Sequence, residues 1–229
     1  MSAPVSDAAA FSTLVRRRRA TRQFLPTPLT PAQLQAVLAD AQHAPSNCNT
    51  QPWQVHIVSG AQRAALSAAL QQAAIQGDAA PDFSFDMAAF HGVHAQRSQA
   101  SGKAHYELLQ IARHDTAARQ AEGLKNFDFF GAPHVALLFM PEIGDNVRTA
   151  GDLGMYGQTL LLSLTAHGLA GIPQTSVSMF APTIRRVLGL GAKHKLLFAI
   201  SFGHADPAAA VNQLDVGRAR VEDSVVFHS

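Results

Sequence analysis

The chain has a single cysteine, Cys48, among 229 residues. An intrachain disulfide is excluded, and a reducing compartment such as the cytoplasm is the expected home. Charge is also scarce. Lys and Arg number 18 against 16 Asp and Glu, for a net +2. That balance is too near neutral for a nucleic-acid partner to be expected. Long apolar runs are missing. The stretches 135–140 and 196–202 have the length of strands, so no membrane span is expected. There is no Gly-x-Gly-x-x-Gly and no P-loop, so neither a Rossmann dinucleotide site nor a nucleotide triphosphatase is supported. What the chain does have is apolar content of 47%, enough for one compact domain over residues 1–229.

The richest stretch is Ala44-Pro45-Ser46-Asn47-Cys48-Asn49-Thr50-Gln51-Pro52-Trp53. Two prolines hold the backbone extended or turned, and the side chains between them carry amides and hydroxyls. Such a rigid loop suits a planar ring with polar edges. Trp53, the only tryptophan, reads as a core anchor. Nearer the N-terminus, Arg17-Arg18-Arg19-Ala20-Thr21-Arg22-Gln23-Phe24 concentrates cations. Arginine forks bind phosphate through two hydrogen bonds and stay charged. A solvated helix face is the plainer alternative for such a run. Residues 1–24 also resemble a transit peptide in composition. A surface helix capped by Ser6 or Asp7 is favoured, with Phe11, Leu14 and Val15 as its buried stripe.

Periodicity predicts the rest. Thr30-Pro31 opens a helix that closes before Pro45, and 53–59 alternates like a strand. Residues 61–76 are helical in pattern. Residues 77–125 are polar, hold His91, His94, His105 and His114, and read as two or more helices. A buried strand spans 134–140. Residues 149–167 form a helix apolar almost all round, with Gly151, Gly154 and Gly157 in its first half. Burial on all sides in so small a domain suggests a subunit interface. Residues 170–175 lead to a short strand, and a helix from Pro182 to Gly189 and a core strand at 195–202 follow. Residues 204–229 read as an extended arm, strand-like at 221–227, which needs a surface to lie on. Strands and helices without a strict βαβ rhythm give an α+β class.

Two further constellations stand out. Gly171-Ile172-Pro173-Gln174-Thr175 either rigidifies a connection or points backbone N–H groups at a ring. Gly217-Arg218-Ala219-Arg220 is either polar tail or a second pair of phosphate-binding arginines. His91-x-x-His94 has metal-compatible spacing but no third ligand, so no metal is expected. Cys48 could serve a thiol nucleophile, although nothing in its surroundings would activate it.

In this order, the Arg segment, the amide loop, the Gly-rich helix, the Gly-Ile-Pro-Gln turn and the Arg-x-Arg tail resemble the FMN-dependent nitroreductase family, over nearly the whole chain. Gly151-Asp152-Leu153-Gly154-Met155-Tyr156-Gly157-Gln158 is similar to members that reduce nitroaromatics. The resemblance implies a central mixed sheet flanked by helices, in an intertwined homodimer with FMN at the interface. It implies a flavoprotein oxidoreductase that passes electrons from NADPH or NADH to nitroaromatic or quinone acceptors by a ping-pong route. Arg18, Arg19 and Ala20 would hold the FMN phosphate, completed by Arg218 and Arg220. Arg22 would lie by the N1–O2 edge as an electrostatic tuner. Pro45, Ser46 and Asn47 would pack on the ring, with Asn49 on the ribityl side. Pro173 and Gln174 would flank N5, and either Lys125 or Asn126 would meet the pyrimidine edge. Ala20 departs from the family's usual serine, so its contact is confined to the backbone. No side chain is assigned as catalytic acid or base. Residues 77–125 would form the substrate lid, and Phe127, Phe129 and Phe130 are core or pocket wall. The alternatives are ene reduction, dehydrogenation, dehalogenation or flavin destruction on the same cofactor, a non-catalytic flavin carrier, or a cysteine hydrolase using Cys48.

Overall fold

The computed structural model describes residues 6–229. Residues 1–5, part of the stretch that resembles a transit peptide, lie outside it. Helices and strands follow in the order α1 (Asp7–Arg17), α2 (Pro31–Ala41), β1 (Gln54–Ser59), α3 (Gly60–Gln76), α4 (Gly92–Leu108), α5 (Thr116–Leu124), β2 (His134–Pro141), α6 (Val147–Ala166), β3 (Ala170–Gln174), α7 (Thr175–Ser178), α8 (Ala181–Leu188) and β4 (His194–Gly203).

The strands form one sheet in the order β1-β2-β4-β3, with every neighbouring pair antiparallel. The expected α+β architecture is there. Its mixed character is confined to one edge, where Ala20 bridges Gly171 in parallel. Strand β2 shows how the core divides. Val135, Leu137 and Phe139 point to one face, toward α3 and α8; Ala136, Leu138 and Met140 point to the other, toward α2 and α6. A period of two on a strand covered on both faces gives three layers.

Local chemistry explains the helix ends. Thr30 and Gln33 form a reciprocal capping box, with Pro31 at the first turn. Ser6 caps α1 by accepting from Ala9 N–H. Gly168, at φ +71°, turns the chain out of α6 into β3.

Three expectations are corrected. Helix α1 has no buried stripe: Phe11 is 60% exposed and Val15 39%. Helix α6 is not buried all round, since Val147, Gly151, Gly154, Met155 and Gln158 form an exposed face. The tail at 221–227 is not a strand. It holds one 3-10 turn, Val221–Asp223, and then runs exposed to a Phe227 that is 87% accessible. In each case apolar residues lack a partner among the described residues. Among the described residues, no helix is long and apolar enough to cross a membrane.

Candidate functional site

The Arg segment runs extended along the edge of the sheet. Thr21 N–H donates to Gly171 O (3.4 Å), Phe24 N–H to Phe130 O (3.1 Å) and Leu25 N–H to His204 O (2.9 Å). In an extended chain successive side chains alternate, so Arg18, Ala20 and Arg22 share one side and Arg19 and Thr21 the other. The structure sorts them accordingly. Arg18 faces Arg218: burial lowers the Arg18 pKa first, and the Arg218 cation lowers it further. Two segments 200 positions apart in the chain thus place like charges within reach of each other's field. Arg18 makes no ion pair among the described residues. Arg19 instead pairs with Asp215 at 3.2 Å, with both side chains well exposed. Arg220 stays on its own tail, near Glu222 and Asp223 and largely in solvent.

Arg22 is half-buried, and its NH1 donates to Ala20 O at 3.5 Å. Burial lowers its pKa, and the Glu122 carboxylate opposes that. Its backbone is clamped by Asn212, whose Oδ1 accepts from Arg22 N (2.8 Å) and Gln23 N (3.2 Å) while Nδ2 donates to Gln23 O (2.8 Å). Sequence reasoning missed Asn212, since a single Asn in an irregular tail carries no signal of a long-range clamp.

The amide loop folds into a 3-10 turn, Asn47–Asn49. Cys48, Asn49 and Gln51 take positive φ of 51°, 55° and 48°. Asn tolerates this region better than most residues, whereas for Cys and Gln it is strain of the kind found at functional sites. Ser46 Oγ accepts from Gln51 N (2.9 Å), so it braces the loop. Asp152, buried on α6, accepts from Asn47 N (2.9 Å). It is the only acid of α6, and that isolation among apolar neighbours was the available signal. Pro45, Asn47 and Asn49 are left exposed. Trp53 lies against Tyr156, with ring centroids 5.0 Å apart, and donates to Gln42 Oε1 at 2.9 Å, which agrees with an anchor. The Cys48 thiol has only Asn47 Oδ1 at 3.8 Å, and no imidazole bonds it among the described residues.

Gln174 is 3% exposed. Its Nε2 donates to Asn126 O (3.0 Å) and Oδ1 (3.3 Å), and its Oε1 accepts from Ser201 Oγ. With its amide satisfied internally, Gln174 is left to meet a ligand through its backbone. Pro173 beside it is exposed. Asn126 Oδ1 also accepts from Ser176 Oγ (2.9 Å), and its Nδ2 donates to Gly123 O (3.1 Å). Lys125 keeps an accessible ammonium, 2.6 Å from Glu122 Oε2. Phe129 and Phe130 are core, and Phe127 stacks edge-on against Phe180.

The two halves of the predicted site do not meet within one chain. The amide loop is fixed at Asp152, near the start of α6. The Arg segment is fixed at its far end, where Arg17 NH2 donates to Thr165 O at 3.1 Å. Thirteen residues of helix separate the two anchors by about 20 Å.

Comparison with known proteins gives one consistent answer. The model of the nitroreductase family matches residues 15–204. The chain is 43% identical over 223 residues to the nitroreductase NfnB of Mycolicibacterium smegmatis, covering 97% of this chain and 94% of that protein. It is 37% identical over 212 residues to a 4-nitrobenzoate reductase of Pseudomonas putida, covering 91% of each. The crystal structure of the FMN-dependent nitroreductase NfnB from Mycobacterium smegmatis in complex with NADPH superposes with a TM-score of 0.94, at 42% identity, over 98% of this chain and 100% of that one.

Proposed function

The chain belongs to the nitroreductase family, and we propose that it is an FMN-dependent oxidoreductase carrying electrons from NADPH or NADH to nitroaromatic or quinone acceptors by a ping-pong route. One observation carries the reading: Arg18 has no ion pair among the described residues, and the Arg218 cation, from the other end of the chain, adds to the effect of burial in lowering its pKa. Two opposed cations are stabilised by a shared anion, and a phosphate ester supplies one. The residues present therefore fit the cofactor.

Bound FMN would supply the redox chemistry, taking a hydride from the nicotinamide at N5 and passing electrons to the acceptor. The protein binds, orients and polarises. Arg18 and Arg218 hold the phosphate with the Ala20 backbone; Arg19 and Arg220 stand at its margin, one neutralised by Asp215 and the other in solvent. Arg22, fixed by Asn212, places a positive charge at the pyrimidine edge. Lys125 joins it there rather than Asn126, whose amide is satisfied by Gln174, Ser176 and Gly123. Pro45, Ser46, Asn47 and Asn49 pack on the ring and ribityl side. Pro173 and Gln174 line the N5 edge through their backbone. No side chain of the site is required as a general acid.

The arrangement is completed by a homodimer. Each chain holds its amide loop and its Arg segment about 20 Å apart along α6. A second copy related by a twofold axis, with α6 antiparallel to α6, brings the loop of one against the arginines of the other. The exposed Gly151–Gly154–Met155 face of α6 supports this packing, since missing side chains let backbones approach closely. Phe11, Val15 and the apolar end of the arm, residues 204–229, supply further surface for the partner to cover. Residues 77–125 serve as the substrate lid on one domain spanning 1–229, and the lone exposed Cys48 fits a reducing cytoplasm.

The test is the visible absorption of the purified protein before and after anaerobic NADPH. A flavin spectrum that bleaches supports the proposal. A flavin that does not bleach leaves only a carrier. A protein that neither carries nor takes up FMN refutes the reading.

A further inference from the structure

Glu122, on α5, is only 7% exposed. Burying a carboxylate costs free energy unless partners surround it. An apolar residue would fill this position at lower cost, so the charge calls for an account. Two partners are close: Lys125 Nζ at 2.6 Å from Oε2 and His105 Nε2 at 3.3 Å from Oε1. Arg22 makes no ion pair with it among the described residues, but the Glu122 charge reaches Arg22 and opposes the effect of burial there. The four residues come from three separate pieces of chain: the Arg segment, the lid helix α4, and the end of α5. Helix α4 also rests on the Ala210–Gln213 turn, which carries the Asn212 clamp on Arg22.

The state of His105 follows from its surroundings. Burial, then the Arg22 cation, disfavours protonation; Glu122 favours it and Lys125 again opposes it. The net shift is downward, so the ring is neutral near pH 7. To donate to the carboxylate it must carry its proton on Nε2. Nδ1 is then a buried acceptor without a donor. An unsatisfied atom is tolerated here because the Nε2 bond to Glu122 holds the ring in place.

We propose that Glu122 is a positioning residue: its carboxylate latches lid helix α4 through His105 and fixes Lys125 near Arg22, setting the charge presented to the flavin edge. Two cations and one buried anion leave a net charge of one at that edge. The proposal rests on the FMN reading above for its charge effect, and on the protein alone for the latch.

The latch is tested on the apoprotein by limited trypsin digestion, which cuts in the lid at Arg97, Lys103, Arg113 and Arg119. Glu122→Gln and His105→Phe are each expected to speed cleavage there several-fold. Wild-type rates in both overturn the latch. The charge effect is tested by the midpoint potential of the FMN-loaded protein against a reference dye. Removing the anion in Glu122→Gln favours the reduced, anionic flavin by roughly tenfold, about 30 mV for a two-electron couple. His105→Phe leaves the charge count intact, so its potential is expected to stay at wild type. A Glu122→Gln protein that holds FMN at an unchanged potential overturns the charge effect. Should Glu122→Gln fail to fold, His105→Phe decides the latch, and Lys125→Gln, expected to shift the potential tenfold the other way, decides the charge. A wild-type chain that binds no FMN refutes the proposed function, while the digestion still reads the latch.

Discussion

Replacing Arg18 by Gln separates a binding residue from a structural one, because the two roles predict opposite signs. In the apoprotein the Arg18 guanidinium is half-buried, faces the Arg218 cation and makes no ion pair among the described residues. Removing it relieves repulsion and desolvation, so the apoprotein's midpoint of thermal unfolding is expected to hold or rise. The helix end is untouched, because Arg18 closes α1 through its backbone N–H to Leu14 O. With FMN the balance reverses. A charge-assisted hydrogen bond to phosphate contributes about 1.5–3 kcal/mol. At about 1.4 kcal/mol per decade, the FMN dissociation constant should rise roughly 10- to 150-fold. Fluorescence titration of apoprotein with FMN measures it, with riboflavin as control. Riboflavin lacks the phosphate, so its affinity should not change. An apoprotein destabilised by more than a degree or two, or riboflavin weakened as much as FMN, would refute the assignment.

Other perturbations probe the remaining parts. Arg22→Ala removes the fixed cation from the pyrimidine edge and should lower the potential of bound FMN and slow its reduction by NADPH; an unchanged potential with FMN still bound excludes Arg22 from that role. Asp82→Ala strips the largely buried Arg185 side chain of its carboxylate and frees the N–H of buried Leu196. It should cost about 3–5 kcal/mol in urea unfolding; a cost below ~1 kcal/mol would mean that the pair is looser than its burial implies. Burial holds the pKa of His134 below its ordinary value, where Nε2 accepts from Leu29 N–H at 2.9 Å. A lowered folded pKa means that the unfolded chain binds the proton more readily. The stability is therefore complete above about pH 6.5 and lost as pH falls below it, by up to about 1.4 kcal/mol per pH unit. His134→Gln, which keeps an acceptor, should flatten that part of the pH–stability profile, and an equal slope in both proteins would argue against His134 as its source.

The elements were legible where a local pattern decides them. Capping at Thr30-Pro31, alternation in 53–59 and the continuous apolar run at 134–140 are short-range signals, and each element lies within a few residues of its expected place. The side chains of the site were legible by residue type, but their roles were not. Gln174 was expected at the N5 edge with backbone N–H groups toward the ring, and no local pattern disclosed that its side-chain amide bonds Asn126 and Ser201, 48 and 27 positions away. Arg18 and Arg19 are neighbours of one type, and only the geometry of the extended chain sends one to Arg218 and the other to Asp215. Glu122 gave no signal at all, since an acid on a short amphipathic helix is ordinarily solvated.

The apolar residues misplaced by the sequence reading are misplaced for a common reason. Phe11 and Val15 on α1, Met155 on α6 and Phe227 in the tail were each expected to be covered, and each is exposed among the described residues. Hydrophobic patterning records burial in the assembled molecule, whichever chain provides the cover. The same logic applies to the polar site. A loop strained at Cys48 and Gln51 and braced by a buried Asp152 is built at one end of α6, while uncompensated arginines wait at the other. Strain and like-charge repulsion both cost stability, and neither is relieved inside the monomer. In the proposed dimer an antiparallel second copy would bring the loop to the arginines, and one phosphorylated flavin between them would satisfy both ends. The dimer and the cofactor are therefore one expectation: FMN affinity should fall with dissociation of the subunits. Dilution below the dimer dissociation constant should release flavin, as read by the recovery of free FMN fluorescence. Flavin retained by a monomer at sedimentation equilibrium would show that one chain holds a complete site.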